Sequence, residues 1–287
     1  ETHNNEWEWN ENNKLELEKI SLKLDLFKLS KLLKNLYFLI NNQICESSNE
    51  WLNKNTRLLP SNINLICLTN NDLKKTSLKL KDFKLFQIPP SAPKNINLQK
   101  YKSYNLNLAN YKFNLLFVGS LNMKMNIDAL NNFFKKFYPI INESIGDKIQ
   151  LNIVGRNPSN KIINLSKIYK FNLLQNVSDE ELIKLYQKSN LLLMPFSYTC
   201  GFKLKFLEAL SNGIPILGTE CVNYCLTNES LALSLFSNDS KKWLNHIKSL
   251  MSLNKLEFLE KRYLIQDYSR YFSTKIIASQ IESVLQF

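Results

Sequence analysis

From residue 113 onward, short apolar runs alternate with helical patterns, and no other feature of the 287 residues limits the fold so strongly. Strands are expected at 113–118, 149–154, 173–175, 191–196 and 214–217. Helices are expected at about 127–137, 158–169 and 180–189, with one more after Gly201. That alternation implies βαβ units and a parallel sheet covered on both faces. In open sheets of this kind ligands bind outside the carboxyl ends of the strands. Gly119, Gly155 and Gly201 each follow an expected strand there.

Glycine is scarce, with six residues in the chain where average usage gives roughly 20. Three of the six (Gly201, Gly213 and Gly218) fall between Tyr198 and Gly218. Scarce glycines mark tight turns or close approaches of the backbone. After Gly201 a helix amino end offers free N–H groups and a positive dipole end. Lys203 and Lys205 add positive charge there, against the helix dipole, and an anionic ligand removes the conflict. Glu208, further along, suits two vicinal hydroxyls such as those of a ribose. A plain Lys205–Glu208 surface pair at i, i+3 is the simpler explanation of the same residues.

The first 93 residues read differently. Helical patterns cover 15–40 and 43–53, a strand is expected at 63–68, a short helix starts at Asp72, and another strand follows at 83–88. Pro89, Pro90 and Pro93 end any regular element. The domain expectation is therefore an incomplete N-terminal Rossmann-like domain (1–93) and a linker (94–111). A C-terminal Rossmann-like domain (112–270) follows, then a last helix (271–287) packing back on the N-terminal domain. The chain opens without methionine, and the strands expected before Thr2 are absent, so a fragment or a reduced domain is expected.

The net charge is +12. Lysines are scattered rather than clustered, and no basic-aromatic motif marks a nucleic-acid binder. Compositional bias toward Lys, Asn, Ile and Leu accounts for the charge; attraction to an anionic membrane surface is the other reading. Five cysteines with no C-x-x-C pair fit reduced thiols in a cytoplasmic compartment rather than a disulfide framework or a zinc site. No stretch is long enough to span a bilayer.

Cys200-Gly-Phe-Lys-Leu-Lys-Phe-Leu-Glu-Ala-Leu-Ser-Asn-Gly-Ile-Pro-Ile216 resembles the donor-site block of family-4 glycosyltransferases, which have the GT-B fold. Leu116-Phe-Val-Gly-Ser-Leu121 with Asn126-Ile-Asp-Ala129 is similar to the first strand–loop–helix of that family's donor domain. Ile153-Val-Gly-Arg-Asn-Pro158 and Asn176-Val-Ser-Asp-Glu-Glu-Leu182 resemble its next strand end and the loop facing the base. Thr2-His-Asn-Asn-Glu6 and Leu68-Thr-Asn-Asn-Asp72 resemble acceptor-domain motifs. The resemblance implies donor contacts from Gly119, Ser120, Arg156, Val177, Gly201, Phe202, Lys203, Lys205 and Glu208, with His3 as the catalytic-cleft residue. Three positions depart from the family: Cys200 replaces the first of its paired glutamates, and Ser120 and Met125 replace basic residues of the first loop. Ser178-x-x-Glu181 also fits a helix capping box, and Arg156 also fits an exposed loop arginine.

The expected activity is transfer of a sugar, with retention, from a nucleotide-diphosphate-sugar donor to a glycan, lipid or protein acceptor. No cofactor or metal is required, because lysines and a helix terminus carry the charge and no Asp-x-Asp motif is present. Two other readings stand beside it. One is a degenerate GT-B protein that binds a sugar nucleotide or a protein partner without turnover; the lesser one is a sugar-nucleotide epimerase of the same fold.

Overall fold

A computed structural model describes residues 64–78, 83–93, 112–198, 202–223 and 233–285. The expected linker 94–111 and the helical patterns before residue 64 lie outside these residues. The chain divides into two compact units, one of Glu1–Pro90, Cys200–Phe202 and Ile277–Phe287, the other of Ser91–Thr199 and Lys203–Ile276.

In the smaller unit, β1 (Asn64–Cys67) and β2 (Lys84–Gln87) pair in parallel, with α1 (Asn70–Ser77) between them in sequence. Thr69 caps α1, its hydroxyl oxygen accepting from the Asp72 N–H at 3.0 Å. That bond satisfies one of the orphan donors of the first turn. Ile277 and Val284, on the last helix of the chain (Thr274–Leu285), cluster with Ile88 beside Ile66 and Phe86. Asn64 donates to the Val284 carbonyl at 2.8 Å.

The larger unit is a six-stranded sheet. Its strands are β3 (Phe113–Val118), β4 (Ile149–Gly155), β5 (Asn172–Gln175), β6 (Leu191–Met194), β7 (Ile216–Gly218) and β8 (Leu235–Phe236). The spatial order is β5-β4-β3-β6-β7-β8 with every neighbouring pair parallel. This is the doubly wound order of dinucleotide-binding folds, and it reverses direction between β3 and β6. All four residues of β6 are buried, as a central strand covered on both faces requires. β8 is an addition to the strands expected from the sequence: two residues are too few for a pattern to show.

Helices α2 (Lys124–Asn132) and α3 (Tyr138–Ile145) run through a π-helical turn at Phe133–Phe137. The helix expected at 127–137 is thus longer at both ends. Phe133, Phe134 and Phe137 are fully buried, and Phe137 stacks on Trp243 at 4.0 Å. Helices α4 (Asn160–Tyr169), α5 (Asp179–Lys188), α6 (Leu204–Ser211), α7 (Ser240–Met251) and α8 (Lys255–Tyr268) complete this unit, and α9 is the last helix, Thr274–Leu285. The Ser178–Glu181 capping box forms at the start of α5. There the Ser178 N–H and hydroxyl hold the Glu181 carboxyl below its ordinary range. α6 ends at Gly213, whose φ of 60° is the left-handed geometry of a helix stop.

One buried charge ties the helix ends together. Arg262 of α8 is 4% exposed, and its guanidinium donates to the carbonyls of Gly213 and Asn212 at 3.0 Å and of Gln187 and Ser189 at 3.4 Å. These carbonyls lie at the carboxyl ends of α5 and α6, where a cation is favoured. Replacing Arg262 with Met strands several buried acceptors, and we expect roughly 3 kcal/mol of lost stability in urea unfolding.

His246 accounts for a pH dependence. Its Nε2 lies 2.9 Å from the Leu233 carbonyl, so this nitrogen carries the proton of the neutral ring. Burial lowers its pKa from 6.5, outweighing the raising effect of that carbonyl. Below 6.5 the unfolded chain binds this proton more readily than the folded one, so stability is full above 6.5 and declines as pH falls toward the lowered value. The decline should be shallower in His246→Gln, read as the unfolding free energy of the two proteins across that window.

Candidate functional site

The reversal between β3 and β6 opens a crevice at their carboxyl ends, the position where doubly wound sheets bind ligands. On its β3 side the loops after β3 and β4 are in close contact. Gly119 donates to the Val154 carbonyl at 3.0 Å, Leu121 to the Arg156 carbonyl at 2.9 Å, and Ser159 to the Leu121 carbonyl at 3.2 Å. A Cβ on Gly155 would stand 1.8 Å from the Gly119 carbonyl oxygen. No side chain fits there.

Ser120 follows Gly119 and is exposed; its hydroxyl donates to Asn122 at 2.8 Å, while Asn126 donates to the Ser120 carbonyl at 2.8 Å. Arg156 is exposed after β4, and Val177 follows β5 directly before the cap of α5. These residues all sit at carboxyl ends of strands, as expected. His3 and Gly201, together with Cys200, lie outside the described residues.

Lys203 is the residue before α6 rather than within it, in an extended conformation. Its ammonium lies 2.7 Å from the Met125 thioether and 5.5 Å from the centre of the Phe196 ring. A thioether is a weak acceptor and an aromatic face a modest cation partner. Phe202 is buried.

Lys205 and Glu208 form the pair that the simpler explanation anticipates, with Nζ at 2.7 and 2.9 Å from the two carboxylate oxygens. Glu208 also accepts from the Tyr186 hydroxyl at 2.7 Å. Burial first, then the Glu208 charge and hydrogen bond, push the Tyr186 phenol well above its ordinary pKa, so it stays a donor. Tyr186 escaped the sequence reading because it belongs to α5, 22 residues away.

A second set also escaped it. Lys124, at the start of α2, places its ammonium 3.0 Å from both Asp128 oxygens, and Tyr198, beyond β6, donates to Asp128 at 3.1 Å. The i, i+4 spacing of Lys124 and Asp128 was visible; the third member was not. Farther along β6 and β7, the Thr219 hydroxyl and the Cys221 thiol both donate to the Phe196 carbonyl. Among the described residues no cluster of His, Cys, Asp and Glu is placed to hold a metal ion, and no helix is long and apolar enough to cross a membrane. A groove of about 630 Å³ lined by Tyr138, Tyr169 and Lys170 lies at the amino ends of β4 and β5, the end of the sheet opposite the loops described above.

Comparison with known proteins agrees with this architecture. Residues 112–252, within the six-stranded unit, match the family model "Glycosyl transferases group 1". A protein of Klebsiella pneumoniae described as an uncharacterized 44.6 kDa protein in the cps region is 26% identical over 190 residues, covering 63% of this chain and 47% of that protein.

Among solved structures, an α,α-trehalose 6-phosphate synthase from Burkholderia multivorans superposes with a TM-score of 0.61 at 10% identity, covering 78% of this chain and 59% of its own. A structure described as "Trehalose-6-phosphate from E. coli bound with UDP-2-fluoro glucose" gives 0.54 at 14% identity, covering 78% of this chain and 61% of its own. The fold is α/β of the GT-B class. The chain spans about half the length of the Klebsiella protein and about three fifths of these two structures.

Gly155→Ala should cost about 3 kcal/mol or prevent folding, because the methyl group meets backbone rather than a movable side chain. Chemical denaturation of the purified variant measures it.

Proposed function

We propose that this protein transfers a sugar from a nucleotide-diphosphate-sugar donor, with the donor diphosphate held in the crevice between the carboxyl ends of β3 and β6. The observation that carries the reading is Lys203, whose ammonium stands between Met125 of α2 and Phe196 beyond β6, one residue before the amino end of α6. A leaving diphosphate needs fixed positive charge and N–H dipoles more than a strong base. Lys203 and the first-turn amides of α6 supply both, and Arg156 and the Ser120 hydroxyl stand within the same set of loops.

Lys205 and Glu208 act as a pair that exchanges partners. Glu208 turns Oε1 to the ribose hydroxyls, and Lys205, which bonds both carboxylate oxygens, is released to the phosphates. Tyr186 keeps Oε2 in place. Val177 brings its backbone to the nucleotide base. His3 takes the donor sugar, and the acceptor is a glycan, lipid or protein; retention of configuration follows the family resemblance. The net charge of +12 favours work beside an anionic membrane surface on the cytoplasmic side.

Binding of a sugar nucleotide without turnover is the second reading. It is favoured by Met125, a thioether where the family carries a basic side chain, and by Ser120 in place of another. Transfer or hydrolysis of the donor separates the two readings.

Calorimetric titration with nucleoside diphosphates and their sugars should reveal one bound nucleotide. Lys203→Ala should weaken it by at least about tenfold, the loss of one charge-assisted contact of roughly 1.5 kcal/mol or more. Unchanged affinity in Lys203→Ala, Lys205→Ala and Glu208→Ala alike would show that the donor lies elsewhere.

A further inference from the structure

We propose that Asp128 is a positioning residue of the crevice, fixing the exit of β6 and the Lys124 ammonium from one carboxylate on α2. The inference rests on the reading of the crevice as a donor site. Lys124, Asp128 and Asn132 recur at i, i+4 and i+8, so they form one polar stripe along α2. Each has a partner. Lys124 bonds both oxygens of Asp128 at 3.0 Å. Tyr198 donates its hydroxyl to Asp128 at 3.1 Å. Asn132 donates to the Pro195 carbonyl at 2.9 Å. Two contacts therefore hold the segment beyond β6 against α2, one at Pro195 and one at Tyr198, across the point where the strand order reverses.

Helix stability does not account for this stripe. A lysine at the first position of a helix opposes the dipole, and Lys preceding Asp by four residues is the less favourable orientation of such a pair. The side chains are 26% and 20% exposed, and the desolvation of two partly buried charges offsets much of their attraction. What the arrangement achieves is placement. Lys124 is kept beside Ser120 and Met125, which lack the positive charge of the family pattern. Tyr198 is kept at a fixed distance from α2, five residues before Lys203.

The test uses the full chain and the nucleoside diphosphates UDP, GDP and ADP as calorimetric probes, with amide hydrogen exchange at residues 196–198 as a ligand-free readout. Asp128→Ala and Tyr198→Phe should each weaken the bound diphosphate by about tenfold and speed exchange at 196–198. The double variant should be no worse than Asp128→Ala alone, because the two side chains act through one contact. Asp128→Asn, which keeps an acceptor for Tyr198, should restore slow exchange. Additive losses, or unchanged affinity and exchange in both single variants while Lys203→Ala still weakens binding, would overturn the role of Asp128 and leave the donor site standing. A wild-type chain that binds none of the three diphosphates would overturn both.

Discussion

The backbone contact between the loops after β3 and β4 fixes the β3 side of the crevice and the entrance to α2. Gly155 has no side chain, so its Cα comes close to the Gly119 carbonyl, and three backbone hydrogen bonds then hold the two loops as one surface. The amino end of α2 is placed by that surface: Asn126 reaches back to the Ser120 carbonyl. Lys124, Met125 and Asp128 are carried with it. A bulkier residue at Gly155 would separate the loops and displace the whole helix entrance, which makes this glycine structural in origin and functional in consequence.

Charge in the crevice is arranged in partnerships of unequal strength. Lys124 and Lys205 have carboxylate partners at hydrogen-bond distance, whereas the contacts of Lys203 described above are a sulfur and an aromatic face. Freeing Lys205 for an incoming anion means exchanging a carboxylate, so Lys205 turns to one only if Glu208 gains something in return.

The sequence made the sheet legible because the signals were local. The apolar runs at 113–118 and 191–194 stand alone between polar segments, and the capping box at Ser178 announces α5. The strand expected from 214 begins at 216, after Pro215, and the helix expected to end at 137 continues to 145 through the π-turn at Phe133–Phe137, which changes the backbone without changing the apolar pattern. The site was half legible. Lys203, Lys205 and Glu208 share one stretch, so a motif displays them together. Tyr186, Tyr198 and Arg262 act through partners 22, 70 and about 50 residues away, and a single sequence has no periodicity that links them.

Arg262 shows how support and site are joined. Its guanidinium gathers the last carbonyls of α5 and α6, the two helices that also meet through Tyr186 and Glu208. One contact fixes the carboxyl ends of these helices, and the other fixes the face that carries the glutamate. With both in place α6 cannot rotate about its axis without breaking a buried bond. Glu208 and Lys205 thus hold a set direction relative to the sheet, and the freedom that remains is in their side-chain torsions. A partner exchange between them needs only such torsions, which flip far faster than helices move. The rigid helix and the mobile side chains are complementary: the scaffold removes the motions that would misplace the carboxylate and leaves those that the proposed change of partners requires.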